Sequence, residues 1–359
     1  MNNVLITGGA GFIGSNFVRY FLSIEPGIQI VNLDALTYAG NLENLKDLPD
    51  PGRYAFEEGD ICDSSLVHRL IQQYQIDTVV HFAAESHVDR SILGPSQFIQ
   101  TNIIGTFTLL EAVKQYWVDE KAFSLEHVRF HHISTDEVYG SLEPNAPPFS
   151  EITPYAPNSP YAASKASSDH IVRAYGHTYG LPISITNCSN NYGPYQFPEK
   201  LIPLVVLNAL TGQPLPIYGD GKQIRDWLYV EDHCEAIWRV IRDGIPGETY
   251  NIGGDTQPSN IEIVELICSI LDERLPDSPH FPHKSLIRHV ADRPGHDRRY
   301  AIDNTKISRE LGWQPRESLH SALRKTVDWY LANTEWVNAI SNQKNHQSWL
   351  QGNYQERGG

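Results

Sequence analysis

Thr7-Gly8-Gly9-Ala10-Gly11-Phe12-Ile13-Gly14-Ser15 decides the fold of this chain. Three apolar residues, Val4, Leu5 and Ile6, precede it and read as a short buried strand. A helical pattern follows, carried by Phe17, Val18, Phe21 and Leu22, and a second short strand over residues 28–33 ends at Asp34. Gly8, Gly11 and Gly14 have the G-x-x-G-x-x-G spacing, which permits a tight turn, a close approach of backbone to a pyrophosphate and close packing of helix on strand. The amide-rich start of that helix faces the phosphates. Asp34 follows Gly14 by 20 residues, where a carboxylate takes a ribose 2′-hydroxyl and repels a 2′-phosphate, so the expected cofactor is NAD rather than NADP. A glycine-rich turn alone would say little; the strand, helix and acid around it define a dinucleotide site.

Outward from that stretch, short apolar runs alternate with helical patterns at residues 4–6, 28–33, 54–57, 78–82, 128–133 and 183–187. This rhythm predicts an α/β protein, a doubly wound parallel (Rossmann) sheet with helices on both faces and ligands beyond the carboxyl ends of the strands. After residue 190 the character changes. Pro194, Pro198, Pro203, Pro214 and Pro216, with Gly193, Gly212, Gly219 and Gly221 between them, indicate a smaller, loop-rich lobe. The expected division is a nucleotide-binding domain over 1–190, to which 228–255 return, and a substrate lobe over 191–359. The tail from about residue 341 is polar.

The 359 residues carry 28 Lys and Arg against 43 Asp and Glu, a net charge of −15. That balance argues against nucleic acid as a partner, although a local group of arginines can still hold an anionic ligand. The cysteines Cys62, Cys188, Cys234 and Cys268 lie far apart without C-x-x-C spacing, so neither a metal site nor a disulfide framework is expected. The absence of a signal-like or long apolar run leads to the expectation of a cytoplasmic protein with no membrane span.

Tyr161-Ala162-Ala163-Ser164-Lys165 begins a long helical pattern. Residues four apart are neighbours on a helix, so the lysine is expected to stabilise a phenolate and lower the tyrosine pKa for general-base work on an alcohol. Tyr218 and Lys222 match the same spacing, but through a Gly219-Asp220-Gly221 turn that aligns nothing. Position decides in favour of Tyr161, which follows the fifth strand pattern. Upstream lies Ser134-Thr135-Asp136-Glu137-Val138-Tyr139-Gly140. A hydroxyl of Ser134 or Thr135 can hydrogen-bond the same alcohol. Asp136 and Glu137 would point to opposite faces of a continuing strand, so both reach one substrate only if the chain turns after Thr135. Two carboxyls in one closed site split into an acid and a base. Asn190, Asn191 and Lys200 suit phosphate or sugar hydroxyls, and Arg225 is a candidate diphosphate clamp. The run Asp292-Arg293-Pro294-Gly295-His296-Asp297-Arg298-Arg299 concentrates cations in an acidic chain. His81, His131 and His132 sit on apolar strands and read as packed core.

These motifs together resemble the extended short-chain dehydrogenases, and within them the NAD-dependent sugar-nucleotide 4,6-dehydratases, over nearly the whole chain to about Trp313. Further stretches carrying the likeness are Leu36-Thr37-Tyr38-Ala39-Gly40-Asn41, Ala83-Ala84-Glu85-Ser86-His87-Val88-Asp89-Arg90-Ser91, the segment from Asn187 to Lys200, and Arg225-Asp226-Trp227. Epimerases of the same type share the glycines and the Tyr/Lys pair but lack the Thr-Asp-Glu triplet. The resemblance implies NAD contacts at Phe12, Ile13, Asp34, Ala35, Leu36, Thr37, Asp60, Ile61, Phe82, Ala83, Ala84, Glu85, Ser86, Thr101, Tyr161, Lys165 and Asn190. It implies sugar-nucleotide contacts at Ser86, Thr135, Asn191, Lys200, Leu201, Pro216, Ile217, Tyr218, Arg225, Asn260, Asp292, Arg293, Pro294, Gly295 and His296. It also implies dTDP-glucose as substrate, loss of water across C5–C6 in deoxysugar biosynthesis, catalysis by Thr135, Asp136, Glu137, Tyr161 and Lys165, and no metal. Helical stretches over 101–117 and 161–179 carry more apolar residues than one sheet face needs, and family members pair two such helices from each subunit, so a homodimer is expected.

Overall fold

The strand rhythm is realised as β1 (Asn3–Thr7), β2 (Gln29–Asp34), β3 (Tyr54–Glu58), β4 (Thr78–His81), β5 (Arg129–Thr135) and β6 (Ile183–Cys188). β7 (Asn190–Tyr192), β8 (Leu215–Tyr218), β9 (Trp227–Tyr229), β10 (Thr249–Ile252) and β11 (Ile287–Val290) follow. They come from a computed structural model that describes residues 1–292 and 296–341. Arg293, Pro294, Gly295 and the polar tail from residue 342 lie outside the described residues.

The main sheet is parallel and seven-stranded, in the order β10-β6-β5-β4-β1-β2-β3. Its order reverses beside β1, between β2 and β4, the position where doubly wound sheets open a crevice for ligands. Successive strand residues feed opposite faces, which is why the runs are apolar throughout. Val4 and Ile6 pack with Phe17, Phe21 and Ile237 on one face, while Leu5 packs with Val67, Leu110 and Val172 on the other. Helices Phe12–Ile24 and Val230–Asp243 cover the first face, and Ser64–Gln73, Thr106–Val113 and Pro160–Tyr179 the second.

The helical stretch expected over 101–117 runs from residue 95 to 119 and widens to π geometry over Ile99–Gly105 and Lys114–Asp119. β10 joins the edge of the main sheet, with Tyr250 opposite Thr186. Beyond β6, the parallel pairs β7–β9 and β8–β11 and the helices Leu201–Leu210, Asn260–Arg274 and Leu319–Ala332 enclose a separate apolar cluster that includes Val205, Ile217, Ile267, Leu271, Val327 and Tyr330. A capping box of Ser259 and Glu262 starts the second of those helices, satisfying amides that a helix leaves open at its first turn. Among the described residues, no helix is long and apolar enough to cross a membrane.

Candidate active site

A cleft opens over the carboxyl ends of the central strands. At its floor, a Cβ placed on Gly14 would lie 2.3 Å from the Gly8 carbonyl oxygen, so only glycine lets the helix start this close to β1. Asp34 ends β2 and turns its carboxylate toward this turn, accepting hydrogen bonds from the Ala10 amide at 2.8 Å and the Leu36 amide at 2.9 Å. Burial pushes its pKa up, and the two amides oppose the shift. Gly8, Gly11, Phe12, Ile13, Gly14, Asp34, Ala35, Thr37, Asp60, Ile61, Phe82, Ala83, Ala84, Glu85, Ser86, Thr101 and Asn190 all line the cleft. Leu36 does not, and its amide serves Asp34 instead. A glycine cradle, an open helix start and an acid at the next strand end fit a dinucleotide with a free ribose 2′-hydroxyl.

The same cleft is lined by Thr135, Asp136, Glu137, Tyr161 and Lys165. β5 stops at Thr135 and the chain turns at once into a 3₁₀ turn over Asp136–Tyr139. The Thr135 hydroxyl accepts from the Glu137 amide at 3.3 Å, and Gly140 at φ 92° ends the turn, where a Cβ would meet the Ala156 carbonyl at 2.5 Å. This turn is what puts both carboxylates on one cleft wall. Opposite, Ser159 caps the helix Pro160–Tyr179, with proline in its first turn, as helix starts favour. Tyr161 thereby sits at the helix mouth with Lys165 one turn on.

Burial drives the electrostatics. Asp136, 1 % exposed, is pushed well above the carboxylate range by burial, then by the Glu137 and Asp226 charges. The shift favours its protonated form. Burial lowers the Lys165 pKa to about 8. The Tyr161 phenol behaves differently from the expectation that Lys165 would lower it: burial raises it well above its ordinary value, Glu137 and Cys188 push the same way, and a hydrogen bond with Thr135 opposes them. Desolvation is the largest cause, because it falls on the phenolate from every side.

On the substrate side, Asn191 and Lys200 line the cleft, with Lys200 Nζ 3.3 Å from the Ser86 carbonyl oxygen. Leu201, Pro216, Ile217, Tyr218, Arg225, Asn260, Asp292 and His296 are not part of its wall. Several of these gather around β8 instead. His296 Nδ1 lies 2.6 Å from Asp292 Oδ1, Gln223 donates to Asp292 Oδ2 at 3.0 Å, and the Asn260 amide donates to the Gln223 carbonyl at 2.9 Å. The Arg225 guanidinium donates to the Asp297 carbonyl at 2.9 Å and lies 4.4 Å from the Tyr300 ring centre.

This combination of a dinucleotide cradle, a Tyr/Lys pair and paired carboxylates has counterparts among known proteins. The profile of the GDP-mannose 4,6 dehydratase family matches residues 5–326. The chain belongs to that family. It is 58 % identical over 362 residues to the dTDP-glucose 4,6-dehydratase of Salmonella typhimurium, covering 99 % of each chain. Among solved structures, it resembles dTDP-glucose 4,6-dehydratase from Bacillus anthracis in complex with NAD, at 47 % identity, TM-score 0.83 and coverage of 95 % of this chain and 100 % of that one. It likewise resembles DesIV, the dTDP-glucose 4,6-dehydratase of Streptomyces venezuelae with NAD and TYD bound, at 48 % identity, TM-score 0.84 and coverage of 94 % and 99 %.

Within this dehydratase-family cleft stand residues that spacing arguments did not single out. Tyr38, Gln97, Cys188, Phe197 and Glu199 line it as well. Arg90 holds its guanidinium 3.9 Å from the Tyr38 ring centre and donates to Glu199 Oε2 at 3.0 Å. Tyr38 and Glu199 fall inside the stretches that carry the family likeness, which was the one signal available for them. His81 and His131 are buried and bonded to neighbouring hydroxyls, at 2.7 Å to Thr7 and 2.9 Å to Ser184.

Proposed function

We propose that this chain is an NAD-dependent hydro-lyase that converts dTDP-glucose to dTDP-4-keto-6-deoxyglucose, a step toward deoxysugars. The observation that carries the reading is the turn after Thr135, which brings Asp136 and Glu137 into the cleft shared with Tyr161 and Lys165. Bound in that cleft, NAD supplies an acceptor for the C4 hydride and a donor of hydride to C6. Tyr161 takes the C4 hydroxyl proton as the phenolate, a form that the Thr135 hydrogen bond, the Lys165 ammonium one turn away and the positive charge of bound NAD⁺ would favour against burial. The resulting ketone acidifies the C5 proton, which Glu137 removes. Asp136, whose protonated form burial favours, gives its proton to the departing C6 hydroxyl. C5 is then reprotonated, and no net oxidation remains. An epimerase would have no use for the carboxylate pair.

The rest of the reading has separate supports. The nucleotide-binding domain spans 1–190 with 228–255 returned to it, and 191–359 form the sugar-nucleotide lobe, which the pairing of β10 with β6 and the separate apolar cluster favour. Tyr218, Arg225, Asn260, Asp292 and His296 take the nucleotide side, and the family likeness assigns Arg293, Pro294 and Gly295, outside the described residues, to it as well. The protein acts in the cytoplasm as a homodimer. Ile99, Ile104, Phe107 and Tyr179 are exposed on the two helices expected to pair, and solvent-facing apolar groups of this size favour a covered face.

Mass spectrometry of purified protein incubated with dTDP-glucose tests the activity. A product lighter by one water is expected; a product of unchanged mass would replace the dehydratase reading with an epimerase.

A further inference from the structure

Beneath the Tyr161/Lys165 pair lies a buried polar chain that the reaction steps above do not use. Lys165 donates Nζ to the Ile133 carbonyl oxygen at 2.7 Å, and its next polar neighbour is His132 Nε2 at 3.4 Å. The same ring nitrogen is 3.2 Å from Asp169 Oδ1 and 3.3 Å from the Ser168 hydroxyl. Asp169 Oδ2 accepts from the Ser134 and Tyr155 hydroxyls, at 2.8 Å each, and Arg173 donates to the Tyr155 oxygen at 2.8 Å. His132, Ser168 and Asp169 have no exposure at all. A carboxylate shut away from water is costly unless a charge or several donors answer it. This one sits on the helix one turn beyond Lys165, the spacing that makes side chains neighbours.

The groups around the pair are few. Tyr161, Asp169 and Arg173 face it from its own helix, His132 from β5, His81 from β4 at 5.1 Å between rings, and Cys188 from β6. Asp136 and Glu137 act on Tyr161 from the turn, and Tyr155 and Tyr139 close the far side around Asp169. Most of these are neutral. Burial holds His132 down to about 4 and Cys188 up to about 12, keeps His81 uncharged, and raises Asp136. Asp169 is the group whose ionised form favours the Lys165 ammonium, and its hydrogen bonds keep it below the usual carboxylate range despite burial.

We propose that Asp169 is a positioning residue for hydride transfer: one helical turn beyond Lys165, with the neutral His132 ring against both, its carboxylate is the counterion that keeps Lys165 charged beside Tyr161. The proposal rests on the reading that Tyr161 and Lys165 carry out the first oxidation. Removing the anion disfavours the ammonium, so Lys165 in Asp169→Asn should lose its proton at lower pH.

The test uses the full chain loaded with NAD and mixed with dTDP-glucose, following the rise of reduced-nicotinamide absorbance in a single turnover across pH. In the unaltered protein the rate should fall as pH rises through the Lys165 value of about 8. In Asp169→Asn that falling limb should move to lower pH by about one unit or more, the usual effect of one close charge, with roughly tenfold loss of rate on the limb. Tyr155→Phe, which removes a neutral bond from the same carboxylate, should leave the limb in place. A limb unmoved in a folded Asp169→Asn variant would overturn the proposal, because a purely structural residue changes yield or stability and not the pH profile. Should that variant not fold, Asp169→Glu and Asp169→Gln replace it: a limb shared by both overturns the proposal, and one shifted only in the Gln form supports it. Absence of any reduced nicotinamide from the unaltered protein would instead overturn the underlying dehydratase reading.

Discussion

The Asp34 carboxylate reaches back to the glycine turn and accepts the Ala10 amide at 2.8 Å. One side chain thus holds the glycine turn and, in the proposed function, presents a negative charge to the adenosine ribose. Asp34→Ala should weaken NAD binding by about 10- to 100-fold, the worth of hydrogen bonds to a charged group, and weaken NADP far less. Titrations of stripped protein with both cofactors check this. Unchanged preference would remove Asp34 from the role.

Substitutions at Asp136 and Glu137 should separate oxidation from elimination. Glu137→Gln and Asp136→Asn keep shape and remove the base or the acid, leaving Tyr161 and Lys165 intact. Given dTDP-glucose, each variant should build up reduced-nicotinamide absorbance while water loss slows by about 10²–10⁴-fold. Tyr161→Phe should suppress both signals together. Elimination at the unaltered rate in Glu137→Gln would contradict the assignment.

The Arg90–Glu199 pair stands at the cleft wall formed by Glu199 and Tyr38, with the Glu199 side chain 2 % exposed and the Tyr38 ring under the guanidinium. It ties the segment leading to Lys200 to the short helix Val88–Leu93 that follows β4. Glu199→Gln should let NAD escape roughly tenfold faster or more, since loss of one partner from a buried pair acts mainly on dissociation. Retained cofactor after timed dialysis measures it, and equal retention would show that the pair only supports the loop.

Asp226 is fully buried, accepting from the Gly254 amide at 2.6 Å and the Ser189 hydroxyl at 3.0 Å. Burial raises its pKa from 3.8 to about 7. The folded-state value lies above the unfolded one, so the protonated form contributes stability that is full below the unfolded value and lost as pH rises through about 7. Asp226→Asn keeps an acceptor without the charge. Its Tm relative to the unaltered protein should therefore improve on going from well below to well above pH 7, as thermal unfolding at the two pH values will show. A difference independent of pH would refute this.

Phe107 and Ile104 are exposed on one of the helices proposed to pair. Phe107→Glu puts a charge into that face and should give a monomer by light scattering at micromolar protein, with the main sheet intact by circular dichroism. A dimer persisting in this variant and in Ile104→Glu would move the interface elsewhere.

Much of this protein is written locally. The turn of Gly8 to Gly14, Asp34 at the next strand end, the helix that starts at Ser159 and the placement of Lys165 one turn after Tyr161 follow from spacing, capping and φ requirements within a few residues. The turn after Thr135 was legible too, because two carboxylates on a continuing strand cannot share a substrate and Gly140 permits the change of direction. Only the tertiary structure decided the rest. It chose β6 as the edge partner of β10, within the 228–255 segment whose return to the sheet the sequence indicates, brought Glu199 to Arg90, and set His132 against both Lys165 and Asp169. It also reversed the expected Tyr161 shift, because a pKa depends on how completely water is excluded. Periodicity records which residues are buried and which are neighbours along one helix or strand. Desolvation and contacts between distant segments arise from the packed whole, where no local pattern carries them.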